Sequence, residues 1–297
     1  MQMSSTNSRS SHVPLVVVLG ETASGKSALG LVLARRFGGE IICADSVTVY
    51  KGFDIGSAKP GAADRADIPH HVLDVADAAT GFSAATFKRH AEQAIADITT
   101  RGKLPIMVGG SGLYIDSVLY DYQFNPSSNS SERDVLNTMT AAELLFLAKR
   151  RGLDTSRVDT ANPRRLVRLI ESGGVPPSRS NMRPNTYIFG LTPDRETLER
   201  RVAHRVENML AMGLAAEVKE LSMRYGWDVE PMKSVGYREW RAYIAGEANL
   251  AETTARIVAA TMQLAKKQRT WFRRNNSIHW VYDPEEAVDI ATTLLNK

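Results

Sequence analysis

The octapeptide Gly20-Glu21-Thr22-Ala23-Ser24-Gly25-Lys26-Ser27 constrains this chain more than any other segment. It fits G-x-x-x-x-G-K-[ST] and sits between an apolar run and a helical pattern, the context such a loop requires. Its glycines let successive backbone N–H groups converge on phosphate oxygens at the positive end of the following helix. Lys26 supplies a point charge to the terminal phosphates. Ser27 offers a hydroxyl to a Mg²⁺ that keeps most of its waters. The motif calls for a diphosphate or triphosphate without saying which molecule carries it, so ATP binding stays an open alternative.

The surrounding pattern extends the loop into a fold. Leu15 to Leu19 and Glu40-Ile41-Ile42-Cys43-Ala44 read as buried strands, and Leu104 to Val108 as a third. Ala28 to Phe37 and Phe87 to Arg101 carry helical spacing between them. This alternation predicts an α/β fold: a P-loop parallel sheet flanked by helices, with a helical insertion domain. Right-handed crossovers would bring Ser24, Asp45 and Ser111 to one edge of the sheet. After Tyr122 the texture changes to a polar linker (Asn125 to Ser131), helical segments (Ala141 to Arg151, Pro163 to Glu171) and a Gly-Pro break at Gly173 to Pro177. Thr186 to Leu191 returns as a strand, and Pro193 to Tyr225 reads as one long helix or two. The expected organisation is a disordered tail over 1–12, a core over 13–122 and 186–297, and an insertion over 123–185.

Charge separates the two halves. Residues 1–120 hold 11 Lys/Arg and 11 Asp/Glu, whereas Lys149 to Arg205 hold 13 basic and 6 acidic residues. Leu264 to Asn275 add 5 basic residues and no acidic one. Basic segments behind a neutral front suit a polyanion that contacts the second half, or simply a solvated basic surface. The one cysteine, Cys43, allows no internal disulfide and no Cys-based zinc site, which makes a reducing, cytoplasmic setting the expectation. In its apolar strand Cys43 reads as a packed core residue and not a reactive thiol. No apolar run approaches the ~18 residues of a membrane span, and no heptad or exposed sheet edge argues against a monomer.

Two strand-end residues are chemical candidates. Asp45 would sit near bound phosphates, where a carboxylate is disfavoured unless it has a task such as holding Mg²⁺ through water or accepting a proton from an attacking group. A cap or turn role is the plain alternative. Ser111, in Gly109-Gly110-Ser111-Gly112, is either a second phosphate contact or part of a turn.

With these segments in view, the sequence resembles the bacterial tRNA dimethylallyltransferases, also called tRNA isopentenyltransferases. The resemblance is carried by the octapeptide and by Ala44 to Pro60 (ADSVTVYKGFDIGSAKP), the most specific block. It continues through Pro69-His70-His71, Val108 to Tyr114, Asn162 to Leu166, Met209 to Val218, Val235 to Glu239 and Gln263 to Arg273. The resemblance implies that Gly20, Thr22, Ala23, Ser24, Gly25, Lys26 and Ser27 hold the diphosphate of dimethylallyl diphosphate, with Mg²⁺ on Ser27. It implies that the adenine 3′ of the anticodon is flipped in from the opposite side. Asp45 would take a proton from its exocyclic amino group, while Ser111 and Arg205 stabilise the departing diphosphate. The anticodon stem-loop of tRNA would meet Asp45, Ser46, Val47, Thr48 and Ser111, then Arg164, Arg165, Leu166, Val167 and Arg168 in the insertion, and finally Lys233, Gly236, Tyr237 and Arg238.

On periodicity alone, Arg205 shares its helix face with Arg201 at i−4, so the pattern supports the face and not one residue. Three positions depart from the family's usual pattern. Glu21 replaces proline and brings an extra carboxylate beside the phosphate site, Ser111 replaces threonine, and Thr48 replaces glutamine. The rival readings are a prenyltransferase acting on a free adenine nucleotide, a small-molecule kinase with Asp45 as base, and a non-enzymatic nucleotide switch. A basic second half and a helical insertion are more than a mononucleotide acceptor needs.

Overall fold

The computed structural model describes residues 13–124, 130–156, 158–175 and 178–295. The expected tail over 1–12, the linker residues 125–129, and Pro176 and Pro177 of the Gly-Pro break lie outside these residues. Strands β1 (Leu15–Gly20), β2 (Gly39–Ala44), β3 (His70–His71), β4 (Leu104–Gly109), β5 (Thr186–Leu191) and β6 (Ile278–Val281) form one parallel sheet in the order β3-β2-β4-β1-β5-β6. Every residue of β1 and β2 is buried, as expected of strands covered on both faces, and their near-unbroken aliphatic runs follow from that.

The first half of the core adds α1 (Lys26–Phe37), α2 (Ala62–Asp67), α3 (Ala84–Thr100) and α4 (Gly112–Leu119). Helix α1 turns Leu29, Gly30, Leu33 and Ala34 onto the sheet, where each leucine contributes about 2 kcal/mol of burial. The chain divides into two compact units, one made of 1–119 with 182–297 and the other of 120–181. The second unit contains α5 (Ser130–Thr138), α6 (Ala141–Arg150) and α7 (Pro163–Glu171), packed through a small core that includes Leu136, Leu144, Leu166 and Ile170. The first unit resumes with α8 (Arg195–Ala211), α9 (Leu214–Tyr225), α10 (Trp240–Ile244), α11 (Leu250–Phe272) and α12 (Pro284–Leu295). Among the described residues no helix is long and apolar enough to cross a membrane.

The predicted Pro193 to Tyr225 segment is two helices. Gly213, at φ 98°, breaks it, because only a residue without a Cβ takes that conformation without strain. The short strands β3 and β6 were not expected from sequence. One is a His-His pair, and the other buries only Ile278 and Val281, so neither shows the continuous apolar run of a central strand.

Register puts the site together. Gly20 at the end of β1 lies beside Leu191 of β5, and Ala44 of β2 lies beside Gly109 of β4. A Cβ on Gly109 would stand 2.0 Å from the Ala44 carbonyl oxygen, so glycine is required for β2 and β4 to close there. The loops that follow these strands therefore emerge side by side at the carboxyl edge, the usual ligand position of an open parallel sheet.

Candidate active site at the carboxyl edge of the sheet

A cavity of about 750 Å³ opens at this edge, and Thr22, Lys26, Ser27, Asp45, Ser111 and Arg205 are among its lining residues. The strand-end candidates and the P-loop lysine are thus brought together. The P-loop arches through left-handed backbone at Ala23 (φ 61°) and Gly25 (φ 98°) before α1 begins at Lys26. Gly25 provides no side-chain cap, and the first turn of α1 has no acidic residue. The amides of Lys26, Ser27 and Ala28 precede any i−4 acceptor in the helix, so they form a ready anion site.

Two amides of the predicted cradle have partners within the protein. The amide of Thr22 donates to Gln268 Oε1 at 2.8 Å, and that of Ser24 to the Glu21 carbonyl at 3.1 Å. Ser24 is 3% exposed, and its carbonyl accepts from Arg201 Nη1 at 3.0 Å. Thr22 and Ser24 thus have their amides engaged within the protein, and Thr22 also lines the cavity. Arg201 and Arg205 thereby part company. The first braces the loop through the Ser24 carbonyl, while the second lines the cavity and donates to the Ser57 carbonyl at 3.3 Å.

Glu21, the extra carboxylate expected beside the phosphate site, has a fixed partner of its own. Its carboxylate is 1% exposed and receives both Nε (2.8 Å) and Nη2 (2.9 Å) of Arg269, with the Thr192 hydroxyl at 3.0 Å. A carboxylate so neutralised is anchored in the protein and does not line the cavity. Its backbone carbonyl accepts from Lys26 Nζ at 3.1 Å. Burial, helped by the charge of Arg205, pulls the Lys26 pKa down to about 8 against the opposing pull of Asp45 and Glu21. An anion is held best by the protonated amine, and a lowered pKa means the proton is lost earlier as pH rises. The second-order rate constant for a diphosphate substrate is therefore expected to fall above pH ~8, approaching tenfold per unit. Turnover at saturation should change less, because the bound anion retains the proton. A flat kcat/KM profile up to pH 9.5 would remove Lys26 from the binding charge.

Asp45 follows β2 and closes a turn on itself, its Oδ1 accepting from the amides of Val47 (2.8 Å) and Thr48 (3.3 Å). That arrangement fixes the carboxylate toward the cavity, which Ser46, Val47 and Thr48 also line. Thr48 is 5% exposed, its hydroxyl buried. The Asp54–Lys59 stretch of the same loop is held by two partners. Lys59 Nζ bonds Asp54 (2.5 Å), Asp74 (2.6 Å) and the Tyr50 carbonyl (2.8 Å). Glu217 on α9 accepts from the amides of Asp54, Ile55 and Gly56 and from the Tyr237 hydroxyl.

Lys233, Gly236 and Arg238 line the cavity, but Tyr237 does not reach it. Its ring is fully buried against Phe53 and Gly56, and burial pushes its phenol pKa up. Tyr237, expected among the contacts with a polyanion, has its side chain in the core. In the second unit, Arg164, Arg165 and Arg168 lie on the exposed face of α7, while Leu166 and Val167 face its core at 0% and 4% exposure. The arginines are the exposed side chains of that segment, and Leu166 and Val167 pack inward. Cys43 is buried, as the strand pattern predicted, and burial pushes its thiol pKa up.

One wall went unrecognised from sequence. Ile257, Thr261, Leu264, Gln268 and Trp271 of α11 line the cavity at helical spacing, a run of roughly 21 Å at 1.5 Å per residue. The signal for this helix was present in Asn249-x-x-Glu252, where both halves of a capping box form.

A sequence model of the IPP transferase family matches residues 48–275. The tRNA dimethylallyltransferase of Geobacter metallireducens is 42% identical over 95% of this chain and 96% of its own. Among solved structures, the full-length tRNA isopentenylpyrophosphate transferase of Bacillus halodurans has a TM-score of 0.74 and 31% identity, covering 95% of this chain and 96% of its own. A eukaryotic dimethylallyltransferase captured acting on tRNA has a TM-score of 0.78 and 26% identity, covering 91% of this chain and 74% of its own.

Proposed function

This chain belongs to the IPP transferase family, and from that premise we propose that it moves a dimethylallyl group from dimethylallyl diphosphate to the exocyclic amino nitrogen of the adenine 3′ of a tRNA anticodon. The observation that supports this most is the meeting of Asp45, Lys26 and Arg205 in one cavity. A proton acceptor and a diphosphate clamp are what an alkylation of a weakly basic amine requires.

In this reading the amides opening α1, Lys26, Arg205 and the Ser111 hydroxyl receive the diphosphate. The adenine leaves its stack to enter the cavity. Its amino nitrogen forms a bond to C1 of the allyl group as the C1–O bond breaks. The electron pair of that bond departs with the diphosphate, and the proton shed by nitrogen passes to the Asp45 carboxylate. Among the described residues no cluster of three or more His, Cys, Asp or Glu is placed to hold a metal. The donor set that remains, the Ser27 hydroxyl and substrate oxygens, suits a hydrated Mg²⁺, which would supply charge neutralisation on the leaving group. The outward arginines of α7 give phosphate contacts in a tRNA-binding insertion.

The test incubates the protein and Mg²⁺ with labelled dimethylallyl diphosphate and unmodified tRNA, beside a tube in which AMP or ATP replaces the tRNA. Label on tRNA that disappears when the adenine 3′ of the anticodon becomes guanine is the expected result. Label on the mononucleotide alone would overturn the acceptor assignment.

A further inference from the structure

Three residues within about one turn of α11 each hold a different neighbouring segment. Gln268 uses both ends of its amide: Oε1 accepts from the Thr22 amide at 2.8 Å, and Nε2 donates to the Gly110 carbonyl at 3.0 Å. Arg269 carries the paired bonds to Glu21. Trp271 donates its indole N–H to Asp116 Oδ2 at 2.9 Å, and its ring lies where a Cβ on Gly112 would be 2.4 Å away. The P-loop and the Gly110–Ser111 turn leave neighbouring strands, with Leu19 of β1 beside Gly109 of β4. Beyond that pairing, α11 adds a side-chain bridge between them, from partners 246 and 158 positions away in sequence.

We propose that Gln268 is a positioning residue that ties the P-loop to the Gly110–Ser111 turn, so that both receive the same diphosphate at a fixed separation. The Glu21–Arg269 pair holds the register of the helix turn that carries it. This rests on the proposed reading of the cavity as a diphosphate site. A group with one donor and one acceptor is needed at 268, because the Thr22 amide and the Gly110 carbonyl present opposite polarity. Without it both backbone groups seek new partners, and beyond the ends of β1 and β4 the two loops lose the bridge that holds them together. Charge that develops on the leaving oxygens is then met by donors slightly out of place, where a displacement of about 1 Å can cost 10²-fold in rate.

Gln268→Met keeps the length and volume while removing both bonds. Inorganic pyrophosphate binding, read by calorimetry, is expected to weaken by about tenfold, and kcat for prenyl transfer to fall by 10- to 100-fold. The KM for tRNA should stay within twofold of wild type, a split that a general loss of packing would not produce. Gln268→Glu keeps an acceptor for Thr22 but loses the donor to Gly110, and is expected to show the same losses if the methionine variant does not fold. Wild-type pyrophosphate affinity and turnover in a folded variant, or a loss confined to tRNA, would overturn the proposal. Pyrophosphate binding by the wild type reports on Gln268 even if no prenyl transfer is seen, so failure of the functional reading is recognised separately.

Discussion

Asp45→Asn is expected to lower kcat for prenyl transfer by roughly 10³-fold while dimethylallyl diphosphate binds at least as tightly as before. Asparagine keeps a carbonyl oxygen where Oδ1 accepts from the Val47 and Thr48 amides. The turn after β2 should therefore survive the change. What is lost is the group that takes a proton from the attacking nitrogen. Binding is expected to hold or tighten because a negative charge leaves a cavity that also contains Lys26 and Arg205. Asp45→Ala should reach the same loss of turnover with added cost to the loop, since two amides then lose their acceptor. Single-turnover transfer combined with donor binding separates the effects. An asparagine variant that turns over within tenfold of wild type would remove Asp45 from proton transfer. Lost donor affinity would instead make it an organiser of the loop.

Arg205→Ala is expected to reduce kcat/KM for the donor by 10²- to 10³-fold, the usual cost of removing one donor aimed at developing anionic charge. Arg205 is largely buried, and burial lowers its pKa against the pull of Asp45, yet an arginine remains cationic at neutral pH. Its charge is also one of the two causes that lower the Lys26 pKa. The alanine variant should therefore move the alkaline break in the donor profile above pH ~8 as Lys26 recovers. Arg201→Ala provides the contrast, because Arg201 donates to the Ser24 carbonyl and is not among the residues lining the cavity. A rise in the tRNA KM alone, with no shift of the pH break, would reassign Arg205 to the nucleic-acid surface.

Much of the core was legible because its signals are local. The aliphatic runs of β1, β2, β4 and β5 and the Gly25-Lys26-Ser27 turn each lie within a few residues, and parallel connectivity follows from their alternation with helices. Asp45 and Ser111 were placed at one edge by that logic, and both line the same cavity. The segments that escaped notice had weaker local patterns. β3 and β6 are edge strands with few buried residues, and α11 presents the cavity with the mixed face Ile257, Thr261, Leu264, Gln268 and Trp271, no uniform apolar stripe.

Sequence by itself determined the phosphate loop, the sheet that supports it and the strand-end carboxylate, since each is written in neighbouring residues and in the steric rules of strand–turn–helix connections. Tertiary structure alone decided the fate of individual side chains. Glu21, expected only as an extra carboxylate beside the phosphate site, became a buried partner of Arg269. Tyr237 turned its phenol onto Glu217, and Arg201 and Arg205 separated into brace and cavity lining. The Glu21 and Arg201 contacts join residues 248 and 177 positions apart. A buried carboxylate or phenol takes whichever partner the packed chain brings within about 3 Å, because leaving it unpaired costs more than any local preference can return.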